Sequence, residues 1–430
     1  MSRKIKIGVL GGYRGSSMIQ YCKQAENAEI VAICDYAPDV LDAQKKNAEG
    51  LDITFYSDFE DFIKHDMDAV VLANYANEHA PFAIKAMKQG KHVFSEVAPT
   101  QTMKEAVELV ETVEQTGMTY AYGENYCYMA STYEMKRLYN QNKIGELEYG
   151  ECEYVHNCEP IWHSITYGQR DHWRNNMYST FYCTHSLGPI IHATGLRPVS
   201  VIGIESSKNT RRISVGSKGA EFGMELITLE NGAIVKSLHG GLYENSKWYL
   251  MYGSKGRMES GRRDAGNGDV NTIYVRCDKN EGDYAGLPVE EYSPVREHDG
   301  IAKQFGHAGS DFYCMWHFVE KLRGNPDADI IDVYEALDMF LPGMFAFRSI
   351  LSGSVPMCIP NLRNKDERDT WRNDTACSDP KAAKDMLLPT RKGGTPEISD
   401  EVYEKVRRRW EAELASNDQN NYRSNVFKKG

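Results

Sequence analysis

Short apolar runs and longer amphipathic stretches take turns along the first 122 residues. The runs "KIKIGVL", "AEIVAICD", "DAVVLAN", "HVFSE" and "TYAYG" have strand length. Between them, "PFAIKAMKQGK" carries Phe82, Ile84, Ala86 and Met87 before a stop at Gly90, and "TMKEAVELVETVEQTG" runs from a Thr cap to Gly117. Both read as helices. The alternation predicts a doubly wound parallel sheet with helices on both faces.

After Tyr128 the period changes. "STYEMKRLYNQNKIG" reads as one helix, and then two-residue alternation takes over in "ELEYGECEYV", "PVSVIGIES", "FGMELITLENGAIVKSLHG" and "KWYLMYGSKGRME". Alternation with "ENG" at a turn predicts hairpins in an open, mainly antiparallel sheet, hence a second, α+β domain. Residues 157–185 are irregular and rich in Asn, His, Trp and Tyr, too aromatic for a linker and long enough to suggest a functional loop. Helices follow near 309–323 and 332–351. Past Pro356 the chain turns polar, with one helix in "SDEVYEKVRRRWEAELA" and a loose end. The predicted units are a nucleotide-binding domain over 1–124, a substrate and oligomerisation domain over 125–355, and a polar extension over 356–430.

Composition narrows the class. A chain of 430 residues, 41% hydrophobic and 26% charged, is long enough for two domains with their own cores. A formal charge of -11 argues against a phosphate-tracking nucleic-acid surface. The ten cysteines make no CxxC or zinc-finger spacing, so they read as reduced thiols with no metal site. The charged start "MSRKIKIGVLGG" runs straight into a strand, and no apolar run approaches 18 residues. The expectation is a cytoplasmic protein without a membrane partner. An open sheet face in the second domain invites a homo-oligomer, a dimer or tetramer.

The chemistry gathers at strand ends. In "GVLGGYRGSSM", Gly12 and Gly15 take the last two places of a GxGxxG fingerprint and Leu10 replaces the first, with Gly11 beside them. Alone this is weak. The next strand, however, ends at Asp35, about twenty residues on, where a carboxylate accepts hydrogen bonds from a ribose diol and disfavours a 2′-phosphate. NAD is the expected cofactor. Asn74, the stretch Ala76 to His79, Glu96 and "GENYCY" follow other strands, and in a doubly wound sheet such loops face one crevice. Glu96 raises a question of its own: it closes an apolar strand with no basic neighbour in sequence. In "YCTHSLGPIIHATG", Thr184 is placed to cap a helix, which sets Tyr182 and His185 one turn apart at its positively polarised start, a sensible place for proton transfer.

The order of "GVLGGYRG", "CD", "NEHAPFAIKAMKQGKHVFSE" and "GENYCY" resembles the Gfo/Idh/MocA family of NAD(P)-dependent oxidoreductases over about residues 4–350. Most members carry Glu-Lys-Pro after the fifth strand, the lysine assisting deprotonation of the substrate hydroxyl; this chain has Glu96-Val97-Ala98. A closer resemblance, carried by "HVFSEV", "ENYCYM", "YGECEYVH", "HWR", "YCTHSLGP" and "GHAGSDF", is to glycoside hydrolase family 109, whose members have Glu-Val there and whose known activity is an α-N-acetylgalactosaminidase with tightly bound NAD. The resemblance implies a Rossmann domain in which Tyr13, Arg14, Asp35, Ala76, Asn77, Glu78, His79, Glu96, Val97 and Asn125 contact NAD. It implies sugar contacts from Tyr154, Arg174, Tyr182, Cys183, Thr184 and His185, with Tyr128 nearby and Tyr243 a further candidate. The family has Tyr-Pro-Thr-His where this chain has Cys183 second, which leaves the sugar's identity open.

That family's chemistry has no net redox change: C3 is oxidised, the C2 proton is lost, the C1 substituent departs, water adds and C3 is reduced again. Direct hydrolysis instead requires two carboxylates roughly 5 to 9 Å apart across the glycosidic bond, and Glu96 is the single motif-supported acid. His185 is therefore the expected C3-hydroxyl base, Tyr182 its partner in proton transfer and Tyr128 a further acid/base candidate, while Glu96 orients a cofactor hydroxyl. A dehydrogenase releasing a 3-keto sugar, and a non-catalytic sugar- or NAD-binding regulator, are the competing readings.

Overall fold

The computed structural model describes residues 3–262, 269–277 and 289–416. Six parallel strands build the first sheet: β1 Ile5–Leu10, β2 Ala28–Cys34, β3 Thr54–Tyr56, β4 Ala69–Leu72, β5 His92–Ser95 and β6 Tyr120–Tyr122, in the order β3-β2-β1-β4-β5-β6. The strand order reverses between β1 and β4, so a crevice opens there at the carboxyl ends. All four residues of β4 are buried, as a strand covered by helices on both faces requires. Met103–Thr116 shows the expected helix signals in full. Thr102 and Glu105 form a reciprocal capping box, and Gly117 ends the helix at φ +66°. The short edge strand "TFY" at β3 was not expected.

The second sheet contains β7 Leu147–Val155, β8 Pro198–Glu205, β9 Phe222–Leu229, β10 Ile234–Gly240, β11 Ser246–Gly253, β12 Gly256–Gly261, β13 Asp269–Cys277, β14 Glu290–Tyr292 and β15 Met357–Cys358. Their order is β14-β13-β12-β11-β7-β10-β9-β8-β15. The hairpin expected at "ENG" is present as β9–β10, and β11–β12 form another around "SK". One pairing breaks the antiparallel rule, because β7 and β10 run parallel. Helices Ala130–Asn140, Cys183–Thr194 and Val333–Leu351 pack against the sheet.

The polar stretch after Pro356 is anchored to both domains. Arg368 is fully buried with Glu114 of the first domain at 2.5 and 2.7 Å. The last helix, Asp400–Ala415, packs on the aromatic loop: Glu413 holds His163 and Ser164, and Trp410 lies 5.2 Å from Tyr167. The loose end expected beyond it, past residue 416, lies outside the described residues. Among the described residues no helix is long and apolar enough to cross a membrane.

Candidate active site

A cavity of about 670 Å³ opens at the β1/β4 crevice and continues into the second domain. Its first half is a nucleotide cradle. Gly11 takes φ +93°, and a Cβ there would lie 2.4 Å from the Ala73 carbonyl after β4, so the close approach demands glycine. A Cβ at Gly15 would strike the Gly11 carbonyl at 2.5 Å and Val9 at 2.6 Å. The fingerprint alignment skipped Gly11, yet this glycine makes the left-handed turn. Asp35 faces the cavity and accepts from the Gly12 and Ala37 amides at 2.9 and 2.8 Å.

The basic neighbour missing beside Glu96 in sequence arrives from elsewhere in the fold. Arg14 Nη2 lies 2.7 Å from Glu96 Oε1, and the same guanidinium meets both oxygens of Asp311 at 3.1 and 3.2 Å. Asp311 also accepts from Asn125 and faces His307. Burial works against the Asp311 carboxylate, but Arg14 and His307 overcome it and hold the group well below its ordinary range. Burial dominates at Glu96 and pushes its carboxyl up to about 7 against the pull of Arg14. His79 is neutral: burial pushes it down to about 4, and Nδ1–H donates to the Ala98 carbonyl at 3.0 Å.

The second half of the cavity is aromatic. Tyr182 precedes helix Cys183–Thr194, and its ring stacks parallel to that of His185 with centroids 5.4 Å apart. Tyr154 and Tyr126 close around His185 at 4.5 and 4.8 Å. His185 Nδ1–H donates to Glu124, 2.8 and 2.9 Å from its two oxygens, and Glu124 is wholly buried. This bond assigns the tautomer and leaves Nε2 as the basic nitrogen. Tyr182 Oη accepts from Arg174 Nη1 at 2.9 Å. Burial raises its phenol, with Arg174 opposing, so it remains protonated at neutral pH.

Of the residues expected from sequence, Gly11, Tyr13, Arg14, Asp35, Asn74, Ala76, His79, Glu96, Val97 and Asn125 line the first half, and Tyr154, Arg174, Tyr182 and His185 the second. The others do not line it. Gly12 lies behind the turn, Asn77 bonds Asp379, and Glu78 accepts from Asn74 and Tyr36. Tyr128 is buried with its hydroxyl on the Asp329 carbonyl at 2.7 Å, which removes it from the reacting groups. Cys183 packs against helix Val333–Leu351, accepting from Gly343 N at 3.1 Å. Thr184 caps nothing; its hydroxyl donates to Glu124 at 2.8 Å. Tyr243 is 74% exposed and outside the cavity. Glu124, His156, Arg212 and Asp311 were missed. Glu124 stands inside the quoted "GENYCY", where only its relation to His185, 61 residues away, reveals its use.

Residues 5–124 match the model of an oxidoreductase family with an NAD-binding Rossmann fold, Gfo/Idh/MocA. A glycosyl hydrolase family 109 protein of Shewanella pealeana is 32% identical, the match covering 86% of each chain. Another from Solibacter usitatus is 30% identical over 83% of this chain and 88% of its own. The chain belongs to glycosyl hydrolase family 109. Solved structures agree on the fold of this family 109 chain. An oxidoreductase of Agrobacterium radiobacter, crystallised with NAD+, L-tartaric acid and magnesium, superposes with TM-score 0.66 at 16% identity, covering 83% of this chain and 99% of that one. A scyllo-inositol dehydrogenase of Lactobacillus casei, with NAD(H) and scyllo-inositol, does so with TM-score 0.63 at 18% identity, covering 83% and 99%.

The first domain is thus an NAD-binding Rossmann domain, and the cavity fits that cofactor. The glycine cradle leaves space that any Cβ would fill, Asp35 stands at the end of β2, and Asn74 Oδ1 and Asn125 Oδ1 are buried without a hydrogen-bond partner among the described residues.

Proposed function

We propose that this family 109 protein is an NAD-dependent glycosidase that oxidises C3 of its sugar transiently, with no net redox change. The observation that carries this reading is the Glu124–His185 pair beside Tyr182, in the cavity half that adjoins the NAD cradle. Gly11, Tyr13, Arg14 and Asp35 would hold the cofactor, and bound NAD supplies reversible two-electron oxidation at a sugar carbinol. His185 Nε2 takes the C3 hydroxyl proton, and buried Glu124 compensates the imidazolium charge that results. Tyr182, kept protonated, donates to the C3 oxygen and thereby favours the ketone's enol-like transition state. With C3 at the ketone level the C2 proton is acidic; its removal makes a C1–C2 double bond, breaks the C1–O bond and releases the aglycone. Water then returns a proton to C2 and hydroxyl to C1, and C3 is reduced back to the alcohol, regaining the hydride and, from His185, the proton it gave up, so that no net redox change remains.

The carboxylates support this route over direct displacement. Those lining the cavity, Asp35, Glu96 and Asp311, stand at the cofactor end, where Asp35 holds backbone amides and the other two hold Arg14. A displacement mechanism needs a carboxylate pair across the sugar. The test is cofactor accounting with a panel of nitrophenyl glycosides. Phenol release without growth of the reduced-nicotinamide absorbance, and product from deuterium oxide carrying deuterium at C2, are expected. Product with only hydrogen at C2 would sink the elimination. Growing absorbance without phenol release would make the protein a net 3-dehydrogenase.

A further inference from the structure

The second half of the cavity contains a cation that the mechanism does not use. Arg212, in the short helix Thr210–Ser214, lines the cavity beside Cys158 and Trp162. Its neighbour Arg211 is fully engaged, pairing with Glu159 at 2.8 Å and donating to Asn157 and to the Gly241 carbonyl. Arg212 has no ion pair or side-chain hydrogen bond among the described residues, and its Nε is buried. Burial holds the guanidinium below its ordinary pKa, opposed by Cys158 and then by Glu221 and Glu159, none of which forms an ion pair or hydrogen bond with it. What fixes it is the face of Trp162, 5.6 Å from ring centre to guanidinium carbon, while Trp162 is itself pinned by a bond from Nε1 to Asn175.

Leaving a half-buried guanidinium, its Nε fully enclosed, without a partner is costly, and the cost falls when a ligand brings the counter-charge. Arg174 lines the same half of the cavity and is held likewise, 4.6 Å over Trp173. Both guanidiniums join His156 in lowering the Cys158 thiol against its burial. The anion is not the cofactor's pyrophosphate, whose cradle at Gly11 to Arg14 is on the other domain. We propose that Arg212, assisted by Arg174, is an oxyanion subsite, so that the preferred glycoside carries a carboxylate or a sulfate. The proposal rests on the sugar-site reading of this cavity but not on turnover.

Calorimetric titration of the NAD-loaded protein tests it, using glucuronate, galacturonate, glucose 6-sulfate and galactose 6-sulfate against glucose and galactose, with inorganic sulfate as competitor. At least one anionic sugar should bind on the order of ten- to a hundredfold more tightly than its neutral parent, the scale of a charged hydrogen bond. Uronates and sulfates distinguish the two sources of the oxyanion. Arg212→Gln should erase the preference while leaving neutral-sugar affinity and NAD content intact, and Arg212→Lys should restore part of it. Neutral sugars binding as tightly as every anionic one, or a preference that survives Arg212→Gln, would overturn the subsite. If Arg212→Gln does not fold, Arg212→Lys and sulfate competition in the unmodified protein decide: no weakening in the first and none in the second overturn it as well. Anion preference without phenol release would instead defeat the glycosidase reading and leave the subsite standing.

Discussion

Glu96 and Glu124 are alike in everything but their partners. Each follows a strand of one parallel sheet, β5 and its edge neighbour β6, and each is buried, 6% and 0% exposed. Glu96 meets Arg14, a cation that never gives up its proton and is shared with Asp311. Glu124 meets His185 at Nδ1, which leaves the other ring nitrogen to accept a proton. A carboxylate beside arginine fixes a loop; the same carboxylate beside histidine aims a base. Position at a strand end announces a site, and the partner decides its chemistry.

The largest effects should fall on the titratable pair. His185→Ala should lower turnover on the order of a hundredfold or more, the scale of a lost general base, with NAD still bound after purification. Glu124→Gln should come close to it, since a neutral amide can satisfy Nδ1 in either tautomer and no longer balances the imidazolium. Tyr128→Phe is the control: its hydroxyl serves the Asp329 carbonyl, so turnover should stay within about twofold while stability falls by about 1 kcal/mol. Near-normal turnover in both pair variants, measured as phenol release, would reduce Glu124–His185 to a packing contact.

Arg14→Met should act on the cofactor instead. It strands Glu96 and Asp311 together without their shared cation, and it removes a residue of the cradle. Nucleotide recovered from the denatured protein should fall severalfold, with the midpoint of thermal unfolding lowered, because a buried carboxylate without its partner is strongly unfavourable. Full nucleotide retention in this variant would place Arg14 outside the binding set.

The first sheet was legible because its signals are local. Strand runs, the capping box of Thr102 and the stop at Gly117 are all complete within a few residues. The same holds for the β9–β10 turn. What escaped joins distant segments. Two-residue alternation shows which face a strand presents, but it cannot tell the parallel β7–β10 pairing from an antiparallel one. Glu96 looked unpaired because its arginine is 82 positions upstream, and Arg14 reaches Asp311 across 297. Arg212, in "NTRRIS", sits in no motif at all. The extension read as polar with one helix, which is present, but its anchors, Arg368 on Glu114 and Glu413 on His163, were not legible because they span some 250 residues. Thr184 misled by position: a threonine just before a helix usually caps it, but here the helix already begins at Cys183, so Thr184 stands inside the first turn and its hydroxyl donates to Glu124.

The smallest effect sharpens the comparison most. Burial pushes the Glu96 carboxyl up to about 7 from an ordinary value near 4.5, despite Arg14. A folded-state pKa above the unfolded one means that the folded protein keeps a proton the unfolded chain has released. The stability this contributes is complete below about 4.5 and is lost as pH rises through about 7. Glu105, also raised to about 7, and Asp338, raised to about 6, tilt the whole curve the same way, so the informative quantity is a difference between variants. Glu96→Gln keeps shape and cannot ionise. Its unfolding midpoint relative to the unmodified protein should therefore climb by a few degrees between pH 5 and pH 8, the two NAD-loaded proteins being compared at equal nucleotide content. Arg14 retains Asp311 in the variant, so the substitution does not leave a buried cation bare. A flat difference across that window would mean that Arg14 keeps Glu96 ionised throughout, and the carboxylate would then be as permanently charged as its partner.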